Sequence, residues 1–135
     1  MRESYRNYVR HDTQSFRSLF AHLLEDRAPL VIHCSAGKDR TGFACALVLH
    51  ALGVPDEVII DDYLLTNRLY SRDTSSANDL PDDVRQAIGL VEVSFLAAGF
   101  DAIRAEYGKL ETYFREGLCL GECERANLKA RYLQS

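Results

Sequence analysis

The stretch HCSAGKDRTG, residues 33–42, decides how this chain is interpreted. It places Cys34 and Arg40 at the two ends of one glycine-containing loop, with five residues between them. Before the loop, residues 29–32 form a short apolar run with β-branched side chains, and after it residues 43–52 form an apolar stretch of helical length. The sequence therefore predicts a loop that joins the end of a strand to the start of a buried helix.

Such a loop has the features of a phosphate-binding site. Successive backbone N–H groups can point at one centre, and the helix that follows adds the positive end of its dipole. Gly37 can adopt a positive φ, and Arg40 can present two parallel donors to phosphoryl oxygens. The same dipoles stabilise a thiolate, so the pKa of Cys34 is predicted to lie below the ~8.5 of a free cysteine. These features predict a cysteine nucleophile that faces a phosphate.

The pattern Cys-x5-Arg-Thr, preceded by His, resembles the signature loop of the cysteine-dependent protein tyrosine phosphatase superfamily. Its core at residues 36–42 is most similar to the bacterial tyrosine/serine and phosphoinositide phosphatases, a group that includes a secreted mycobacterial tyrosine phosphatase. The similarity continues at residues 52–55, 62–64, 107–108 and 116–118, and it covers nearly all of the chain.

The resemblance implies a two-step dephosphorylation without metal or cofactor. Cys34 would attack phosphorus, the alcohol or phenol would leave, and water would hydrolyse the phosphocysteine. The substrate-binding residues that it implies are Ser35, Ala36, Gly37, Lys38 and Arg40. It also implies supporting roles for His33, which would hold the cysteine geometry, for Thr41, which would hydrogen-bond the sulfur, and for Gly42.

The proton donor for the leaving group departs from the common superfamily pattern, in which an aspartate on an upstream loop supplies it. Asp12 is predicted to cap a helix over residues 13–24, and Asp26 lies beside the start of the predicted strand. Asp39 is the predicted acid, because myotubularin-type phosphatases with the same Asp-Arg pair have been assigned an acid there. The alternative is that Asp39 only pairs with a neighbouring cation.

The predicted function is hydrolysis of protein phosphotyrosine, with phosphoserine, phosphothreonine or phosphoinositide as further substrates. One alternative is a phosphate-binding pseudo-phosphatase, and a second is an arsenate reductase that uses Cys34 together with Cys119 or Cys123. Cys45 is predicted to belong to the core.

Composition predicts one domain over residues 1–135. With 16 basic and 20 acidic side chains the net charge is -4, which gives no general attraction to nucleic acid. No apolar run has the length of a membrane span, and residues 1–10 contain no apolar block of a signal peptide. A cytoplasmic location is expected, and export without a signal peptide stays open.

The predicted fold is of the α/β class, a strand–loop–helix core with a helix-rich carboxy-terminal half that lacks most of the family's amino-terminal strands. Besides those already given, helices are predicted to start at Pro55 and to cover residues 81–90, 91–107, 110–117 and 122–133. Residues 71–79 are predicted to be a loop, and the resemblance suggests a lid over residues 70–90. Since a lone strand leaves its backbone groups unpaired, the chain is interpreted as a carboxy-terminal fragment, a minimal version of the domain, or one that pairs or swaps strands in a homodimer.

Overall fold

The computed structural model describes residues 1–25, 29–70, 81, 83 and 89–133, and its regular elements in these ranges are helical. The helices are α1 (Arg2–His11), α2 (Thr13–Leu24), α3 (Asp39–Ala51), α4 (Asp56–Leu64), α5 (Thr66–Leu69), α6 (Val93–Tyr107), α7 (Leu110–Thr112), a π-helical turn (Tyr113–Gly117) and α8 (Glu122–Tyr132). In the part of the chain so described, no helix combines the length and the apolar character needed to cross a membrane.

The predicted strand before the signature loop does not form. Residues 29–34 have no regular secondary structure, and none of the described residues lies in a strand. The prediction of an α/β class with a strand–loop–helix core is therefore wrong. A strand needs a neighbour to pair its N–H and C=O groups, and the described ranges provide none beside this segment, where Val31 is 83% exposed.

Most of the predicted helices are confirmed. Helix α2 begins at Thr13, and α3 ends where Gly53 adopts a φ of 82°. The amide of Gly53 donates to His50 and that of Val54 to Leu49, which is the Schellman pattern of a helix end. Helix α6 was predicted, whereas the predicted helix over residues 110–117 divides into α7 and the π-helical turn. The predicted loop at residues 71–79 and most of the predicted helix and lid up to residue 90 lie outside the described residues.

Helix α1 was not predicted. Its residues are mostly polar or charged, but Tyr5 and Val9 lie one turn apart on the same face and are buried. This face packs chiefly against α6. The packing brings the hydroxyl of Tyr5 to the amino-terminal end of α3.

The core is centred on Phe43, in the second turn of α3, which is 0% exposed. Its ring lies 5.6 Å from the rings of Phe16 and Phe100 and 6.1 Å from that of Tyr5. Aromatic contacts at these distances stabilise beyond their buried area alone. Side chains from α1, α2 and α6 thus hold the start of α3, and with it the end of the signature loop.

Candidate active site

Cys34 ends the irregular segment, residues 35–38 bend, and α3 begins at Asp39. Gly37 has a φ of 65°, as the sequence predicted for a tight loop, and this backbone conformation strains any residue with a Cβ. The amide of Gly42 donates to the Lys38 carbonyl over 2.8 Å, which closes the first turn of α3. The loop therefore runs directly into a helix amino terminus.

The sulfur of Cys34 is surrounded by hydrogen-bond donors. The Thr41 hydroxyl donates to Sγ over 3.2 Å, and the backbone amides of Gly37, Lys38 and Thr41 also point at it. Burial by itself raises the pKa of Cys34, but the side chain of Thr41 and these amides outweigh it and lower the pKa to about 7. A large share of Cys34 is therefore thiolate at neutral pH, which is the nucleophilic form.

Cys34, Arg40 and Thr41 line one cavity of about 420 Å³. Arg40 is exposed, as is His33, which lines the same cavity and is therefore not a core histidine. Asp12 occupies the predicted cap position of α2, but its side chain makes no cap hydrogen bond and lines this cavity instead. Cys34 and Arg40 thus face one open space.

Lys38 turns into the protein, although the family resemblance implied that it would bind substrate. The side chain is 4% exposed, and its ammonium lies 3.5 Å from Oδ2 of Asp39 and donates to the Leu90 carbonyl over 3.3 Å. Val91, which follows Leu90, is held by the Asn67 side chain, which accepts from the Val91 amide over 2.7 Å and donates to the Val91 carbonyl over 2.9 Å. Lys38 therefore links the loop to the segment before α6. The loop residues Ser35, Ala36 and Gly37 are exposed.

Asp39 meets residues that sequence reasoning missed. The Tyr5 hydroxyl donates to Oδ1 of Asp39 over 2.9 Å, and it lies 2.8 Å from the Tyr63 hydroxyl. The Tyr63 ring also lies close to Gly42 at the end of the loop. A Cβ added to Gly42 would be only 3.2 Å from that ring. The helical spacing of Tyr5, Tyr8 and Val9 is the signal that could have revealed α1, but nothing in the sequence indicates which residue Tyr5 contacts.

None of the other three cysteines is among the described residues that line the cavity. Cys45 is partly buried in α3, whereas Cys119 and Cys123 are exposed. Burial, and after it the charge of Asp62, raise the pKa of Cys45. Among the described residues, no three His, Cys, Asp or Glu side chains are grouped so that they could hold a metal ion.

The chain is similar in sequence to known proteins. The sequence profile of the tyrosine phosphatase family matches residues 1–134. The chain is 40% identical, over 77% of its length, to a protein of Cupriavidus necator whose name assigns it provisionally to the tyrosine-protein phosphatases. It is 35% identical, over 86% of its length, to the triple specificity protein phosphatase PtpB of Mycobacterium tuberculosis, and 26% identical, over 98%, to a tyrosine-protein phosphatase of Nostoc commune.

The chain spans only 39% to 49% of the length of these relatives. The profile match nevertheless extends over almost every residue of the chain, and the matched part contains the complete loop from His33 to Gly42. This chain therefore belongs to the tyrosine phosphatase family.

Proposed function

We propose that this chain hydrolyses phosphomonoesters through a phosphocysteine intermediate. The observation that carries the proposal is the Cys34 sulfur, which accepts a hydrogen bond from Thr41 at 3.2 Å, has a pKa of about 7 and shares a cavity with Arg40. A thiolate, amide donors and a guanidinium are what attack on a phosphate dianion requires.

In the first step the Cys34 thiolate attacks phosphorus and the bond to the ester oxygen breaks. Arg40 and the loop amides hold the non-bridging oxygens, and Asp39 gives a proton to the departing oxygen. In the second step water attacks the phosphocysteine, Asp39 takes the proton of that water, and the S–P bond breaks to restore the thiolate. Thr41 stabilises the departing sulfur by its hydrogen bond.

The proposed substrate class is taken from the names of the relatives, because the loop itself would bind any phosphate. We infer protein phosphotyrosine as the main substrate, because the relatives are named as tyrosine phosphatases. Phosphoserine, phosphothreonine and phosphoinositides are the further candidates, in keeping with the triple specificity in the name of the mycobacterial relative.

The test is hydrolysis of p-nitrophenyl phosphate across a pH series by the wild-type chain, Cys34→Ser and Asp39→Asn. We expect kcat/KM to rise with pH through about 7, since the thiolate of Cys34 is the reactive form. Cys34→Ser should abolish turnover. Asp39→Asn should lower the rate with phenyl phosphate, whose leaving group needs a proton, far more than the rate with p-nitrophenyl phosphate.

Cys119→Ser and Cys123→Ser are the matched controls, because both cysteines are exposed. They should keep full turnover, whereas an arsenate reductase that needs a second thiol would lose arsenate reduction in one of them. Tight vanadate binding without any wild-type turnover would contradict the enzyme and identify a phosphate-binding module.

A further inference from the structure

Tyr5 is the buried residue that connects a distant helix to the signature loop. It is 0% exposed, yet its hydroxyl lies within hydrogen-bond distance of two groups, Oδ1 of Asp39 at 2.9 Å and the Tyr63 hydroxyl at 2.8 Å. Asp39 is the first residue of α3 and the immediate neighbour of Arg40. A residue on α1 therefore contacts the end of the loop through this carboxyl group.

The direction of the hydrogen bonds follows from the number of protons. Tyr5 has one hydroxyl proton and donates it to Asp39, so Tyr63 must be the donor to the Tyr5 oxygen. Burial, and after it the contacts with Tyr63 and Asp39, raise the pKa of Tyr5 above the ordinary range of a phenol. The raised pKa keeps the Tyr5 hydroxyl protonated at neutral pH, so it can act as a donor there.

The Tyr5 ring is itself held in place. It lies 5.1 Å from the Tyr8 ring, 5.9 Å from that of Phe95 and 6.1 Å, edge-on, from that of Phe43. Because these contacts fix the ring, they also fix the position of its hydroxyl. The Asp39 carboxyl group is then anchored at Oδ1 by Tyr5, with the Lys38 ammonium 3.5 Å from Oδ2.

We propose that Tyr5 is a positioning residue that aims the Asp39 carboxyl group at the leaving-group oxygen, with Tyr63 fixing the orientation of the Tyr5 hydroxyl. This inference rests on the proposed function and on Asp39 as the proton donor. Oδ1 accepts from Tyr5 and Oδ2 lies beside the Lys38 ammonium, so both oxygens of the carboxyl group are held in place. A carboxyl group without this anchor can rotate, and proton transfer is sensitive to such displacement.

The test compares two substrates that differ in their need for the acid. The p-nitrophenolate ion leaves readily without a proton, whereas the leaving group of phenyl phosphate depends on protonation. We expect Tyr5→Phe, which removes only the hydroxyl, to lower kcat for phenyl phosphate about tenfold and kcat for p-nitrophenyl phosphate less than about twofold. Tyr63→Phe should change the ratio of the two rates in the same direction by a smaller factor.

Tyr113→Phe is the matched control, because Tyr113 is also buried and its hydroxyl bonds Thr13 at 3.1 Å, away from the loop. It should leave the ratio of the two rates unchanged even if it destabilises the fold. In an Asp39→Asn background, Tyr5→Phe should produce no further change in that ratio, since the group that it positions is gone.

Equal losses on both substrates in Tyr5→Phe and Tyr63→Phe would overturn the positioning role, because they would indicate a structural effect alone. An unchanged ratio in Asp39→Asn would overturn it too, since Asp39 would then not be the acid. Both results differ from failure of the proposed function, in which the wild-type chain hydrolyses neither substrate. If Tyr5→Phe does not fold, Tyr63→Phe carries the same comparison.

Discussion

At the scale of single residues, the reactivity of Cys34 depends on a balance of opposing effects. Partial burial disfavours the thiolate, whereas the Thr41 hydroxyl and three backbone amides favour it. The amides cannot be removed without changing the loop, but the hydroxyl can. Thr41 is therefore the position at which this balance can be measured.

Thr41→Val should raise the pKa of Cys34 by about one to two units, because a hydrogen bond to a charged group contributes roughly 1.5–3 kcal/mol and one pKa unit corresponds to about 1.4 kcal/mol. The thiolate fraction at neutral pH then falls, and with it the rate of alkylation. The measurement is the rate of iodoacetamide alkylation of Cys34 against pH, with Thr41→Ser as the variant that keeps the hydroxyl. If the midpoint of Thr41→Val stays near that of the wild type, the amides alone hold the thiolate.

The sequence predicted those parts of the site that are neighbours along the chain. Cys34, Gly37 and Thr41 interact within one short loop, so their spacing restricts their geometry. The contact between Tyr5 and Asp39 joins positions 34 residues apart, and it depends on how α1 packs on α6. The inward turn of Lys38 could not be predicted either, because its partner at Leu90 is 52 residues away.

At the scale of helices, the close approach of α6 to α3 holds the start of α3. A Cβ on Gly99 would lie 2.6 Å from Cε2 of Phe43, well inside a normal contact. The Phe43 ring cannot move aside easily, since other aromatic rings surround it. Gly99 is thus required because it allows the two helices to approach this closely.

Gly99→Ala should destabilise the fold by about 1–3 kcal/mol, as overpacking of a core does, although alanine favours a helix over glycine by about 1 kcal/mol. Urea unfolding gives the free energy of unfolding. Gly89→Ala is the control, because a Cβ there meets no described residue within 4 Å. Equal stability of Gly99→Ala and Gly89→Ala would mean that Phe43 relaxes without cost.

Elements with a strong apolar periodicity, such as α2 and α6, were predicted from sequence, because one face of each is buried in the core. Helix α1 was missed, since only Tyr5 and Val9 of its ten residues are buried. The strand was predicted because residues 29–32 include β-branched side chains, which are common in paired, half-buried strands. The prediction was wrong because the described residues around positions 29–34 provide no strand to pair with. Local preference alone cannot reveal whether a pairing partner is present.

At the scale of the whole molecule, the four cysteines differ in exposure, and the pKa values of Cys34 and Cys45 are shifted in opposite directions. Cys119 and Cys123 are exposed, Cys34 is only partly exposed but has a pKa of about 7, and Cys45 is partly buried with a raised pKa. Since the thiolate is the reactive species, ionisation should outweigh exposure at neutral pH.

Limited alkylation at pH 7 should therefore modify Cys34 first, Cys119 and Cys123 later, and Cys45 last. Peptide mass spectrometry after timed exposure to iodoacetamide gives the order. Added vanadate should slow modification of Cys34 and leave the other rates unchanged, which provides an internal control. Modification of Cys119 or Cys123 ahead of Cys34 would contradict the arrangement of donors around its sulfur.

The inward turn of Lys38 also has a consequence for ligand valence. Of the two cationic side chains in residues 33–42, Arg40 is exposed, whereas the ammonium of Lys38 is bound to the Leu90 carbonyl and lies beside Asp39. A second phosphate on the same ligand thus gains little added attraction from these loop side chains. The affinity of this loop for a ligand should then depend less on how many phosphates the ligand carries than on how well one phosphate fits into the loop.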